Sequence, residues 1–295
     1  MNTALVDVPV KIKNILFATD FSEVSSSAIP LVKKLARHYQ SNIVALYVRP
    51  PVVNPMTPVS TWEMEMKTAK ELDEAHRAKM LNMFAGLPIR ALIDEGPLDA
   101  CFKAAIKDND IDLLVMSTHG RTGVGKLLLG SVAEELFRIV ECPVLTVGPN
   151  VNPSRPDLGE LKQVLYATDL NPASQRAAAY AISLTRDFAA HLAVAHIVPD
   201  ETCVNSPFGA LSEAKERLRS LVPSGTEISY PPTYFAEHGE PAKRILEIAD
   251  LIQADLIVLG AHPEEGVIGA ATHLPIATAH KVVVRANCPV LTIRT

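Results

Sequence analysis

No block of lysine or arginine occurs anywhere in the 295 residues, and 28 basic residues against 33 acidic ones leave a formal net charge of -5. A chain of that sign has no general attraction for nucleic acid or for an anionic membrane surface, so neither partner class is expected. Long apolar runs are also missing, the longest stretches falling far short of the roughly 18 to 20 residues that span a bilayer. The opening MNTALVDVPVKIKN has neither the apolar core nor the small-residue cleavage site of a signal peptide. A cytoplasmic location is the expectation. Cysteine is scarce: Cys101, Cys142, Cys203 and Cys288 show no CxxC spacing. They fall in apolar helix or strand-entry contexts and read as reduced packing residues, which excludes a disulfide scaffold.

What the chain does have is apolar material, 48% of its residues, enough at this length for two ordinary cores. It also repeats itself. NILFATD (Asn14 to Asp20) matches QVLYATD (Gln163 to Asp169) at an offset of 149, and IVALYV (Ile43 to Val48) matches LAVAHI (Leu192 to Ile197) at the same offset. EGPLDACFKAAIKDNDIDLLVMSTHG matches EHGEPAKRILEIADLIQADLIVLGAH at about 143, and ECPVLTV matches NCPVLTI at 146. The chain is a duplicated unit of about 140 residues, joined by the Pro-, Asn- and Gly-bearing stretch GPNVNPSRPDLGE. Domains at 1–149 and 161–295 with a linker at 150–160 are expected.

Strand-like and helical patterns alternate in each half, which predicts a parallel sheet covered on both faces. Strands are expected near 13–19, 42–49, 88–94, 111–117 and 143–147, then near 163–168, 191–198, 231–236, 254–260 and 289–293. Helices in the first half are expected near 25–39, 61–85, 97–108 and 130–140, with Pro30 tolerated only in an opening turn. Trp62, Met66, Ala69, Leu72 and Met83 or Phe84 approximate one helical stripe and predict a core face. An adaptable methionine-rich partner surface is the alternative. The charged residues of that segment, Lys67 to Lys79, read as its solvated face.

The stretch Asp112 to Val147 runs as strand, glycine-bearing loop, helix and strand, with Gly120, Gly123, Gly125 and Gly130 between the first strand and the helix. Glycine lets backbone approach a ligand closely. Free N–H groups and the dipole at a helix start favour an anion by roughly 0.3 to 1 kcal/mol per interaction, so this loop is a candidate phosphate site. In a doubly wound sheet the ligand lies where strand order reverses, which places the loops after strands one and four together and Asp20 opposite Ser117 to Gly130. Asp20 there accepts from a ribose hydroxyl or a base amine. Alternatively it only starts the following helical turn.

These residues resemble the universal stress protein family in its tandem two-domain form, over nearly the whole chain. The family's signature G-x2-G-x9-G-[ST] corresponds to Ser117-x2-Gly120-x9-Gly130-Ser131, with Ser117 in place of the first glycine. The resemblance implies an α/β fold of two tandem doubly wound parallel five-stranded sheets, Rossmann-like and of the adenine nucleotide alpha hydrolase-like type, in a pseudo-twofold arrangement. It implies ATP or AMP, with Mg²⁺ as a companion ion, bound in the first half. Asp20 and Val48 would hold adenine and ribose, Gly120, Arg121, Gly130, Ser131 and Val132 the phosphates, and Ala18, Thr19, Met116 and Ser117 would complete the site. It further implies that the final strands of the two halves pair within one chain, with a homodimer of chains as a further arrangement.

The second half keeps Asp169, Ile197 and Gly260, but Pro263 replaces Gly120 and Ile276-Ala277 stands at Gly130-Ser131. Pro removes an N–H and Ala a hydroxyl, so one nucleotide site per chain is expected. GRTGVGKL (Gly120 to Leu127) is one residue from a Walker A loop, and Leu127 fails where a hydroxyl must hold Mg²⁺. His238, His262, His273 and His280 crowd the carboxyl-end loops of the second half without a Cys or carboxylate pattern, and read as surface or cap residues rather than as zinc ligands. No catalytic constellation is visible. The expected role is a nucleotide-holding regulator or protector in a stress response, not an enzyme, with a small-molecule or protein interaction module as the contrasting class.

Overall fold

A computed structural model describes residues 10–51, 61–118, 136, 140–152, 160–171, 174–198, 200, 207–223, 225–261 and 278–294. The first half contributes strands β1 (Asn14–Ala18), β2 (Asn42–Arg49), β3 (Ile89–Glu95), β4 (Leu113–Ser117) and β5 (Val144–Val147). The second contributes β6 (Gln163–Ala167), β7 (His191–Val198), β8 (Thr233–His238), β9 (Leu256–Ala261) and β10 (Val290–Arg294). The described helices are α1 (Glu23–Ser26), α2 (Ile29–Tyr39), α3 (Trp62–Met83), α4 (Leu98–Asp108), α5 (Gln175–Asp187), α6 (Pro207–Leu221), α7 (Pro241–Leu251) and α8 (Thr278–Arg285).

The strand order is β3-β2-β1-β4-β5-β10-β9-β6-β7-β8, one ten-stranded sheet in which every pairing is parallel except β5 with β10. Each half therefore winds outward from its first strand in both directions, the doubly wound pattern. The repeat holds at the level of single residues. Asn14 pairs with Asn42 as Gln163 pairs with His191, and Leu114 pairs with Val144 as Ile257 pairs with Val290. Where the halves meet, Leu145 faces Leu291, its own counterpart, flanked by Thr146 with Val290 and Val144 with Thr292. A pseudo-twofold axis passes between the two leucines.

Strand alternation sends side chains to two cores, one on each face of the sheet, and each core runs through both halves. Ile15, Phe17, Leu113, Val115, Val164 and Val258 point to one face, under α2, α5 and the C-terminal end of α3. Leu16, Leu114, Met116, Leu165 and Ile257 point to the other, against Phe102 of α4, Ile245 of α7 and Val283 of α8. The connection is tight after β5, where a Cβ on Gly148 would lie 2.8 Å from the carbonyl oxygen of Val283. Only glycine lets the backbone pass α8 there. On the first face Tyr39 of α2 donates to Asp187 of α5 at 2.7 Å, and His38 packs its ring 4.6 Å from that of Phe188. Tyr39 and Phe188 are repeat counterparts, so related positions meet across the axis.

Three expectations need correction. The helix expected at 25–39 is two helices, because Pro30 falls in the first turn of α2 and Ser27 and Ala28 close α1 before it. β8 begins two residues later than the expected 231, since Pro231 and Pro232 have no N–H for a ladder. The core stripe on α3 holds only at its C-terminal end, where Met83 packs against the core and Phe84 is buried in it: Met66 is 45% and Leu72 56% exposed, and within the helix only Met80 is fully buried. Its upper turns stand beyond the carboxyl edge of the sheet. The helix expected at 130–140 lies outside the described residues except Leu136 and Val140, both buried in the second core, with Val140 N donating to Leu136 O.

Cys101 and Cys288 are buried and Cys142 half-buried, all three as free thiols. Burial pushes the Cys142 thiol up to about 11, so it stays protonated and inert at neutral pH. Among the described residues no helix is long and apolar enough to cross a membrane.

Candidate functional site

β1 and β4 are neighbours in the sheet, Phe17 pairing with Val115, and the chain winds away from them in opposite directions. Ala18-Thr19-Asp20 and Met116-Ser117 therefore leave the sheet side by side at its carboxyl edge. Val48 is the penultimate residue of the next strand over, β2, and packs against the second core, as does Ala18. Met116 is buried in that core. What it offers at the edge is backbone. Gly120, Arg121, Gly130, Ser131 and Val132, and with them the expected phosphate loop, lie outside the described residues.

The turn after β1 is built by short polar side chains. Thr19 N continues the ladder by donating to Leu46 O at 3.0 Å, and Thr19 Oγ1 accepts from Phe21 N at 3.0 Å. Phe21 is held at φ 63°, a left-handed conformation that a bulky residue adopts only when its surroundings impose it. They do so here: its ring stacks on His76 of α3 at 4.6 Å, tilts against Tyr47 at 5.0 Å and lies 4.8 Å under the ammonium of Lys79.

Asp20 uses one oxygen for the turn. Its Oδ1 accepts from Ser22 N at 3.0 Å and from Ser22 Oγ at 2.6 Å, while Ser22 Oγ caps α1 by accepting from Ser25 N at 3.1 Å. The turn-starting reading of Asp20 thus applies to one of its two oxygens. The turn-starting work falls to Oδ1, and the cap itself is Ser22. Oδ2 is buried, and among the described residues nothing donates to it. Burial alone would raise the carboxyl pKa, but the two hydrogen bonds from Ser22, with the Ser25 hydroxyl close by, outweigh it and hold Asp20 below the ordinary carboxylate value. The group is a fixed anion with one oxygen committed and one open.

The second half repeats the turn with a different interior. Leu170 stands at φ 62°, its N donating to Thr168 Oγ1 at 3.0 Å, and Asp169 Oδ1 accepts from Asn171 N at 2.9 Å. Here, however, Ser174 Oγ also donates to Asp169 Oδ1 at 2.8 Å, and Tyr166 Oη donates to Ser174 O at 3.0 Å. Ser174 presses on β9 so closely that a Cβ at Gly260 would lie 3.0 Å from its Oγ. Gly260, the first signature glycine in this half, makes room for a protein side chain.

Sequence reasoning missed the supports: Ser22, Ser25, Phe21, Tyr47 and His76. Asp-Phe-Ser after a strand carries the signal of an Asx-turn, in which Asp bonds the N–H two residues on. No local signal marks His76, which lies among the charges of α3. Among the described residues no group of three or more His, Cys, Asp or Glu could hold a metal ion, and His238 pairs with Asp200 at 2.9 Å.

The model of the universal stress protein family matches residues 11–148 and again 160–294. A universal stress protein of Mycolicibacterium smegmatis is 26% identical over 95% of this chain and 96% of its own length. One from Methanocaldococcus jannaschii is 33% identical over 46% of this chain and 81% of its own. Among solved structures, a universal stress protein of Archaeoglobus fulgidus superposes with a TM-score of 0.69 at 20% identity, over 95% of this chain and 98% of that one. Two family matches in succession, on a sheet whose halves repeat in order and register, place the chain in the universal stress protein family, in its tandem two-domain form.

Proposed function

We propose that the first half holds one adenine nucleotide, ATP or AMP, and that the protein acts through this occupancy as a regulator or protector in a stress response. The observation that carries the reading is Asp20 Oδ2, a buried acceptor at the strand-order reversal to which no described group donates. A buried anion oxygen left without a donor costs folding free energy of order 1 to 3 kcal/mol, and a ribose hydroxyl or base amine recovers it. Val48 would sit beside it at the adenosine end. Gly120, Arg121, Gly130, Ser131 and Val132 would supply amides, a guanidinium and a hydroxyl to the phosphates, with Mg²⁺ accompanying ATP. The second half offers no equivalent, because Ser174 occupies the space between Asp169 and Gly260.

The same geometry favours holding over turnover. A carboxylate whose pKa is pulled down is a poor proton acceptor, so Asp20 is a weak candidate for activating water. The protein purified without added nucleotide, denatured and analysed by mass and ultraviolet absorbance, should release adenine nucleotide at near one per chain. Asp20→Asn keeps the acceptor used by Ser22 and places a donor where Oδ2 was. It should weaken ATP binding about 10- to 150-fold, the worth of one charge-assisted hydrogen bond. Asp169→Asn should leave affinity within about twofold. Absence of released nucleotide together with no binding on titration would refute the proposal, and equal losses from both variants would place a second site in the second half.

A further inference from the structure

The exposed upper turns of α3 cover a cavity of about 530 Å³ between that helix and the carboxyl end of β2. That volume lies within the range of small-molecule sites. It stands apart from the Asp20 cleft, because Phe21, Tyr47 and His76 pack against one another between the two. Its walls are mostly apolar, with Tyr47 and Pro50 on the strand side and Met64, Ala69 and Leu72 on the helix side. The lining residues of α3 recur at three- and four-residue steps, so a single helical face looks into the space.

The charges of the cavity are unbalanced. Arg49, at the end of β2, pairs through Nε with Asp73 at 3.3 Å and through a terminal nitrogen with Glu95. Its single positive charge thus faces two carboxylates, although the terminal nitrogen near Glu95 makes no hydrogen bond among the described residues. That leaves Glu65, which also lines the cavity and whose Oε2 is buried, with no donor to it among the described residues. A buried carboxylate oxygen among apolar walls is satisfied by a hydrogen-bonding cation rather than by an anion, which the two lining carboxylates, Glu65 and Asp73, disfavour against the one guanidinium of Arg49. An aromatic wall adds attraction for a cation on its face. Met64 and Leu72 are 76% and 56% exposed, apolar surface that a ligand's hydrocarbon body would cover.

We infer that this cavity is a second ligand site, distinct from the nucleotide cleft, for a small organic cation: a protonated amine carried on an apolar or aromatic body, its ammonium donating to Glu65 Oε2. The chain's one tryptophan, Trp62, lies in the first turn of α3 one helical step from Glu65 and reports on occupancy. The test is titration of the intact protein with 2-phenylethylamine at pH 7, followed by Trp62 fluorescence, against the neutral 2-phenylethanol. The amine should give a saturable change and bind at least about tenfold more tightly than the alcohol. Glu65→Gln, checked for unchanged circular dichroism, should erase that preference, and Ala69→Leu should fill the cavity and weaken both probes. Saturating ATP should leave the amine titration unaltered. Equal binding of amine and alcohol, no saturable change, or a preference that survives Glu65→Gln would overturn the assignment. Displacement by ATP would overturn it too, since the cavity would then be part of the nucleotide cleft. Failure of ATP binding alone would leave the amine site standing.

Discussion

After its first strand each half builds the same turn, with a threonine hydroxyl bonded to the N–H two residues on, a bulky residue at φ near 60°, and an aspartate oxygen accepting from the next N–H. The serine that follows differs. In the first half Ser25 Oγ donates to Ser22 O and shares a 3.3 Å contact with Thr19 Oγ1. In the second its counterpart Ser174 is drawn to Asp169, anchored by Tyr166 and wedged against Gly260. Duplication thus kept the backbone scaffold and let the interior of the cleft diverge. The shared turn belongs to the fold, whereas the two halves differ in what the serine behind it is bonded to.

The comparison breaks most visibly by exchanging the residues at the ends of β4 and β9. Gly260→Ser installs the first half's residue where a Cβ already falls 3.0 Å from the Ser174 hydroxyl, which Asp169 holds while Tyr166 bonds the Ser174 carbonyl. Such overpacking should cost about 1 to 3 kcal/mol. The reverse change, Ser117→Gly, loosens a strand end and should cost no more than about 1 kcal/mol. Urea denaturation midpoints read both. Similar costs would mean that the two cleft interiors are packed alike.

Much of this was legible because the duplication gives two readings of one fold. The offsets of 149, 143 and 146 reappear as matched strand registers. Even Asp112 and Asp255 do the same work, each accepting from two successive N–H groups at the start of the half's first strand. The apolar periodicity that located β4 and α4 is a local property, and local properties survive in a string of letters. What did not survive is whatever depends on the end of an element. The pattern of α3 is as apolar as a core stripe, yet 22 residues outrun the strands beside them, so Met66 and Leu72 find no sheet to cover. For Asp20, the sequence supplied the carboxylate, but which oxygen is spent on the turn depends on where Ser22 sits in space.

A sharper test lies in the strand beneath the turn. Tyr166 occupies the position of Phe17, and its hydroxyl anchors the serine that closes the second cleft. Tyr166→Phe should cost about 1 kcal/mol at neutral pH, one net hydrogen bond. It should also change the alkaline behaviour. Burial pushes the Tyr166 phenol up to about 12, above the unfolded value of about 10. Its contribution is therefore fully present below about pH 10 and is lost as pH rises through about 12. The variant should show a shallower fall in stability across that window. An unchanged slope would assign the alkaline loss to other groups, among them Tyr39, whose phenol burial and Asp187 also push upward.

The smallest expected effect concerns the axis itself. Thr146 and Thr292 are counterparts on β5 and β10, both buried, yet Thr146 Oγ1 donates to Val290 O at 3.1 Å while Thr292 Oγ1 has no partner among the described residues. A pseudo-twofold pair thus contains one satisfied and one unsatisfied hydroxyl. Thr146→Val should destabilise by about 0.5 to 1.5 kcal/mol, whereas Thr292→Val removes a desolvated hydroxyl and should be neutral or stabilising by up to about 1 kcal/mol. The two variants differ by one methyl-for-hydroxyl exchange on either side of the same Leu145–Leu291 contact. Packing changes therefore largely cancel, and the sign of the difference isolates the hydrogen bond. Matching losses would restore the symmetry at the axis and confine the divergence of the halves to the cleft.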